Sequence, residues 1–467
     1  VGAEVGRQQV QPILEQACER LMVLRKWCDE AVCDASSDAF HLVIRGLSAV
    51  LGSGHLATFD ALALLEAADD DSIIDGDERA RLLWARALVL ALELRFEQAA
   101  KTCADAARID GLGSERRWQL GLFEAELCCD DGREFAKIEP LQAAIKLYEQ
   151  ALLPMTLADP FSAHQALIHD ALGTANALLG QRHRGTRPTE LAVESYRKAL
   201  GLWQRETQGD EWAASQNRLG NALGFLGQRQ RDGELLEASV GAFDAALEEQ
   251  TARPASGAYA STYSNLAAVL QSLGQQKQDA KLLKRAVDSY KSVLAVWSRE
   301  HRPIMWAATM SNLGSALRLL GQTRKGPRTL EQSVAAFTAA LSVRTRDRLP
   351  HDWAMTQNNL GAALQALGER TEDEMTFGKA VAAYRETVKE LSADGEPMSW
   401  AMAMANLGVA RRKLAERNGD LEIAKRSAQD IKAAIDIFRG ASHAQLTELG
   451  EEQLSLARKL AAEIEAA

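Results

Sequence analysis

A chain of 467 residues with a formal net charge of -10 and an isoelectric point near 5.5 lacks the basic balance of a nucleic-acid-binding surface. Proline is scarce at 10, Ala, Leu, Glu, Gln and Arg dominate, and alternating β-branched runs are missing, so an all-α fold is predicted. No apolar run of about 18 residues occurs, which excludes a membrane-spanning helix.

The opening VGAEVGRQQ has no apolar centre of the signal-peptide kind, and with valine as the first residue a processed product or an excised piece of a longer chain is expected. Helical spacing of Ile13, Leu14, Cys18, Leu21, Met22, Leu24 and Cys28 predicts one amphipathic helix from Gln8 to Val32. Two shorter helices follow, near Ala39 to Val50 and Leu56 to Ala68, separated by Gly52 and Gly54. Residues 1–76 are therefore expected to form an N-terminal helical cap or bundle. The acidic link Asp69, Asp70, Asp71, Asp75, Gly76 and Asp77 resembles a calcium loop only in part. Ile73 and Leu82 stand where oxygen ligands are needed, so a solvated, helix-starting linker is the better reading.

Two helix pairs led by Trp84 and Trp118 come next, with a tight turn expected near Arg95 and closure of the second pair at Pro154 and Pro160. From Gln165 a longer unit takes over. Its lead aromatics, Trp212, Tyr259, Trp306, Trp353 and Trp400, recur every 47 residues. Counting from the lead, helix A places apolar or small residues at +7, +10, +11 and +14, as in Leu313, Ala316, Leu317 and Leu320, and alanine always stands at +1. Glycines at +15 (Gly180, Gly227, Gly274, Gly321, Gly368) are expected to end helix A in a left-handed turn. Helix B carries Val240, Val287, Val334 and Val381, each three residues before Phe243, Tyr290, Phe337 or Tyr384. Pro254, Pro303, Pro350 and Pro397 keep one pair from running into the next. The last unit has Ala415 in place of glycine, and a final helix near Ala441 to Ile464 has the polar face of a cap.

Such a period marks a stack of units that cannot bury their apolar faces alone. The order Asn312, Leu313, Gly314, Leu317, Ser333, Phe337 and Ala340 resembles the tetratricopeptide repeat, and the likeness extends over Asp77 to Arg439. The extended units are similar to those of bacterial multi-repeat proteins found beside caspase-like peptidases or signalling ATPases, and to kinesin light chain repeats. The resemblance implies a right-handed α-solenoid at 77–439, with residues 440–467 as the C-terminal cap.

Catalytic signatures are missing: there is no GxxxxGK[ST], GxSxG, HExxH or strand-borne GxGxxG. The six cysteines lie in the first 130 residues without a CxxC pair and are expected as buried, reduced thiols of a cytoplasmic protein. His164 and His169, five apart, point to different helix faces and do not make a metal pair with Asp170. The evenly spaced tryptophans are expected to pack between repeats rather than cage a ligand. Neither cofactor, metal nor enzymatic activity is expected.

The inner face of helix A remains. In the resembling family the A helices line the concave side, here through positions +2, +5, +6, +9, +12 and +13. Position +6 reads Arg218, Asn265, Asn312, Asn359 and Asn406, and position +5 includes Asn217 and Asn358. Asn221, Arg318, Gln365, Arg412 and Lys413 complete the row, and none of these positions in the five units is Asp or Glu. An asparagine amide matches the backbone of an extended peptide without selecting side chains, so the expected partner is a protein or an extended peptide segment, neutral or acidic. Nucleic acid and membrane are not expected partners. Asn221 and Asn265 match the asparagines of the family's carboxylate clamp, but its basic positions fall on Asn217, Ala308 and Asn312, so a free C-terminus is not the expected ligand. The functions implied are a sensor or adaptor scaffold of a bacterial regulatory system, a peptide-responsive regulator acting through the N-terminal helices, or the non-catalytic part of a longer signalling enzyme.

Overall fold

Apolar stripes broken by turns fold here as antiparallel helix pairs, seen in a computed structural model that describes residues 17–28, 43–48, 58–69, 75–156, 163–251 and 256–467. Cys33, Asp70, Asp71, Ile73, Pro160 and Pro254 lie outside them. Among the described residues every regular element is helical, and successive helices pack as the pairs of a tetratricopeptide-like solenoid. The chain divides into two units, Val1–Asp232 and Gly233–Ala467, a boundary inside the expected repeat array.

In the first unit, helical residues 17–28 and 43–48 are followed by α1 (Thr58–Asp69), α2 (Gly76–Leu92), α3 (Phe96–Ala107), α4 (Ser114–Glu134), α5 (Glu139–Leu147), α6 (Ala163–Arg182), α7 (Arg187–Leu202) and α8 (Gly209–Gln230). Asp75 starts α2 as its N-cap, its carboxylate accepting from the Glu78 N–H at 2.8 Å. The N-terminal helices do not stand apart: Leu24, Cys28, Ile44, Leu47 and Leu65 share one core with Leu88, Phe96 and Cys103. Pro154 does not close its helix. A π-turn, Tyr148–Leu152, extends α5, the Leu153 N–H reaches back to the Tyr148 carbonyl, and helix continues over Leu153–Thr156. The wider turn holds the Tyr148 ring buried against Cys129.

The second unit comprises α9 (Gly233–Gln250), α10 (Gly257–Gln276), α11 (Ala280–Val296), α12 (Pro303–Gln322), α13 (Arg328–Leu341), α14 (Pro350–Thr371), α15 (Glu374–Glu390), α16 (Pro397–Asn418), α17 (Leu421–Gly440) and α18 (Ala444–Ala466). Pro303, Pro350 and Pro397 occupy the first helical position, where the missing N–H costs nothing. Helix A also touches the A helix of the next pair, α10 with α12, α12 with α14 and α14 with α16, while successive B helices make no contact of that extent. The A helices therefore form the tighter, inner side of the stack.

The +15 glycines do not end helix A. Gly274, Gly321 and Gly368 lie inside it, where a Cβ would meet Leu283 at 2.9 Å, Leu330 at 2.6 Å and Phe377 at 3.2 Å. Their role is close approach of helix B. Helix A runs on, and the left-handed residue falls four positions later, at Arg231 and Gln278, Glu372 and Gly419. The glycine of the Asn-Leu-Gly triplet also serves contact: a Cβ on Gly314 or Gly361 would lie 2.9 Å from the ring of Phe337 or Tyr384. That approach exposes the helix A carbonyl to helix B, and Ser333 Oγ donates to the Gly314 carbonyl at 2.6 Å, as Ser427 Oγ does to that of Gly408 at 2.7 Å. The +1 alanines are buried for the same reason, with Thr387 Oγ1 donating to the Ala354 carbonyl at 3.1 Å.

Candidate functional site

The A-helix stripe that is not core faces the inner side, and its residues divide by what they already bind. In the second unit Asn312 is exposed, while Asn265, Asn359 and Asn406 are half-buried. Asn406 Nδ2 donates to Asn358 Oδ1 at 3.2 Å, an amide contact from α16 to α14. Gln365 donates to Glu369 at 3.3 Å. Asn312 and Asn359 carry no hydrogen bond among the described residues, whereas Asn265 is engaged.

The positive charge expected along this row is mostly consumed within the protein. Arg412 is buried, pairs with Glu416 and bonds Gln453 Oε1 at 3.2 Å, and Lys413 lies 3.3 Å from Glu416. One acid, Glu416, placed outside the acid-free positions, thus holds both cations at the C-terminal end of the row. Arg318 differs: it has no ion pair among the described residues, and burial holds its guanidinium below the usual value. Such a half-buried guanidinium offers charged donors with no acceptor among the described residues.

In the first unit Asn217 is half-buried and engaged, and Asn221 is exposed. Arg218 is not free: Nη1 donates to Asp170 at 2.7 Å, and Asp170 also accepts from Ser215 Oγ at 2.5 Å. Asp170 thus turns away from His169, whose buried Nδ1 has no partner, while His164 stacks on Trp118 at 4.1 Å. Among the described residues no group of three or more His, Cys, Asp or Glu is placed to hold a metal ion, and no helix is long and apolar enough to cross a membrane. Burial pushes the Cys128 and Cys129 thiols up to about 12, which keeps them protonated and unreactive.

The lead tryptophans are only half-buried. Arginine guanidinium groups cover three of them, Arg205 over Trp212 at 4.5 Å, and Arg299 over Trp306 and Arg346 over Trp353, each at 5.6 Å. Each of these three rings thus has a guanidinium of its own chain as a cation–ring partner.

One concavity has no signature in the sequence. A cavity of about 730 Å³ opens on the inner side of the first unit, between helical residues 17–28, α2, α4, α6 and α8. Its apolar lining includes Trp84, Leu88, Leu122, Phe123 and Leu167, and its charged lining Glu19, Arg20, Glu126, Asp130, Arg133 and Arg218 with Asp170. Arg20 and Asp130, 110 positions apart, pair across it. The carboxyl of Glu126 is reached by water, yet protein surrounds it; that desolvation, with Asp130 alongside, pushes it up to about 7 against the opposing pull of Arg20.

Residues 260–302 and 353–390 match the Tetratricopeptide repeat family. The sequence has no match among curated proteins. Solved structures similar to it include BtubC (BKLC) from P. vanneervenii, at 18% identity over 65% of this chain and 91% of that one, with a TM-score of 0.33. A Rap protein complexed with Competence and Sporulation Factor shares 12% identity over 84% and 100%, with a TM-score of 0.41. The TPR2AB domain of yeast Sti1, in complex with an HSP90 peptide, shares 17% over 64% and 100%, with a TM-score of 0.22.

Proposed function

Because the chain is a tetratricopeptide-repeat protein, a helical scaffold for protein interaction, we propose that it holds an extended, neutral or acidic segment of a partner protein on its A-helix inner face. It does so without catalysis, as the sensor or adaptor part of a regulatory system in the cytoplasm. The single observation that carries this reading is Arg318, an unpaired guanidinium among the described residues on a face whose own positions contain no acid, with Asn312 unbonded on the same helix and Asn359 unbonded on the next A helix. Amide groups hold the backbone of an extended segment in register, and Arg318 supplies a charge-assisted bond to a carboxylate or carbonyl.

The test is selection of random peptides on the protein at low and physiological salt, followed by re-measurement with Asn312→Ala/Asn359→Ala and with Arg318→Gln. Acidic or neutral peptides should be recovered. Their affinity should fall with salt and drop about tenfold in either variant, the loss of one charge-assisted bond with Arg318→Gln and of two neutral amide bonds with the asparagine pair. Unchanged affinity with lowered stability would make the row structural and remove the proposal.

A further inference from the structure

We propose that the cavity of the first unit is a binding subsite for a basic side chain, the guanidinium or ammonium of an Arg or Lys in a bound peptide, with Glu126 as its counter-ion. Glu126 is a positioned carboxylate without a partner: it makes no hydrogen bond or ion pair among the described residues. The arginines that could neutralise it are committed elsewhere. Arg20 is bonded to Asp130, reaches the Ala91 carbonyl at 3.4 Å and lies over the Phe96 ring at 5.1 Å. Arg133 donates to the other oxygen of Asp130 at 2.7 Å, and Arg218 is held by Asp170. Arg20 and Arg133 share the one Asp130 carboxylate, so the four acids and three arginines of the lining leave the cavity one net negative charge, with Glu126 and Glu19 as the acids outside these pairs.

The rest of the lining suits the stem of such a side chain. Trp84 and Phe123 lie with centroids 6.1 Å apart and continue into Leu88, Leu122 and Leu167, so a three- or four-carbon chain is covered by apolar surface while its charged end reaches the carboxylate. Aromatic faces also attract a cation directly, arginine above all. A cavity of about 730 Å³ falls in the size range of ligand sites, roughly 300–1,000 Å³. It exceeds a single side chain and leaves room for its neighbours in a peptide. The charge demanded here is opposite to that favoured beside Arg318, so this subsite is independent of the preceding proposal.

The groups facing Glu126 are Glu19 and Arg20 from residues 17–28, Asp130 and Arg133 from its own helix, Asp170 from α6 and Arg218 from α8. The experiment uses the full chain and four pools of acetylated, amidated random pentapeptides whose central residue is Arg, Lys, citrulline or Glu, with retention measured by affinity-selection mass spectrometry at pH 8. With Arg318→Gln in place to remove the acid-favouring face, Arg and Lys pools should be retained at least tenfold over citrulline and Glu, and adding Glu126→Gln should reduce that preference to parity while adding Asn312→Ala/Asn359→Ala leaves it intact. The protein carrying Arg318→Gln alone provides a second readout that survives poor folding of the Glu126 variant: its preference should weaken as pH falls from 8 to 5.5 and Glu126 takes up its proton. Equal retention of all pools, a preference indifferent to pH, or a preference kept by a folded Glu126→Gln protein overturns the proposal. So does agmatine displacing the Arg pool at the pool's own concentration, which would make a free amine the ligand.

Discussion

Arg344 Nη1 donates to Thr356 Oγ1 at 3.2 Å, joining the end of one helix pair to the start of the next. The same twelve-residue register in the first unit brings Trp203 Nε1 to Ser215 Oγ at 3.0 Å, and in the last full repeat it carries two apolar residues, Leu391 and Ala403, both buried. The position is a junction that accepts a matched polar pair or a matched apolar one. Arg344 is 8% exposed and its Nε has no partner, so its charge depends on what remains around it.

Thr356→Val should therefore cost about 1–3 kcal/mol, the penalty of leaving a buried donor unpaired. Arg344→Leu combined with Thr356→Ala, which copies the Leu391–Ala403 junction, should recover most of that loss, because replacing a buried charge with packed apolar groups is close to neutral. Urea unfolding of the three proteins checks both. A double variant less stable than Thr356→Val would show that the arginine contributes through contacts other than this hydroxyl.

Gly321→Ala should destabilise by about 1–3 kcal/mol, since the new methyl would sit 2.6 Å from Leu330 and 3.2 Å from its backbone nitrogen. Glu372→Gly should stabilise by about 0.5–1 kcal/mol, because Glu372 has φ 57 and glycine takes that conformation freely. Paired thermal melts decide it. A harmless Gly321→Ala together with a destabilising Glu372→Gly would reverse the roles assigned to the two positions.

The helix faces and the buried +1 alanines were legible because 3.6-residue spacing survives any placement of neighbouring repeats. The function of the glycines was not. A glycine at a helix end and a glycine under a neighbouring leucine look alike in one dimension, and only the Leu330 contact separates them. The inner-face positions could be named from the period, but their charge could not. Whether Arg218 meets Asp170, or Arg412 meets Glu416 and Gln453, depends on side-chain reach between helices. The Glu126 cavity was invisible because its charges, such as Arg20 and Asp130, come from residues 110 positions apart.

Trp306→Ala is expected to cost about 1–3 kcal/mol, less than the 3–5 kcal/mol of a fully buried ring, because the indole is half-buried beneath Arg299. Arg299→Ala should cost about 0.5 kcal/mol, the lower end of an exposed cation–ring contact. Chemical denaturation gives both numbers. A loss below about 0.5 kcal/mol for Trp306→Ala, the range of ordinary surface changes, would remove its packing role.

The weakened acidity of Glu126 makes a stability prediction with a definite sign. Its folded value of about 7 lies above the ordinary 4.5, so the folded chain holds the proton more tightly, and stability falls as pH rises through that window. Glu126→Gln mimics the protonated form. Its melting temperature should match the parent near pH 4.5 and exceed it at pH 8, by about 1 kcal/mol in stability once water access to the carboxyl is allowed for. A gain at low pH instead, or a deficit at pH 8, would mean the carboxylate is stabilised where it sits.

The asparagine row separates into bonded and free members, and stability can distinguish them without any ligand. Asn406 donates to Asn358 between α16 and α14, so Asn406→Ala removes a repeat-to-repeat bond and should cost about 1 kcal/mol. Asn312, exposed and without a hydrogen bond among the described residues, has nothing to lose, and Asn312→Ala should stay within about 0.5 kcal/mol of the parent. The same amide chemistry then serves two ends: where neighbouring repeats present two amides to each other it fixes their register, and where only one is presented its donors and acceptor stay open to a bound segment. Guanidinium chloride unfolding of the two single variants is the measurement. Equal destabilisation would place Asn312 in the scaffold with Asn406 and leave Arg318 to carry the inner face alone.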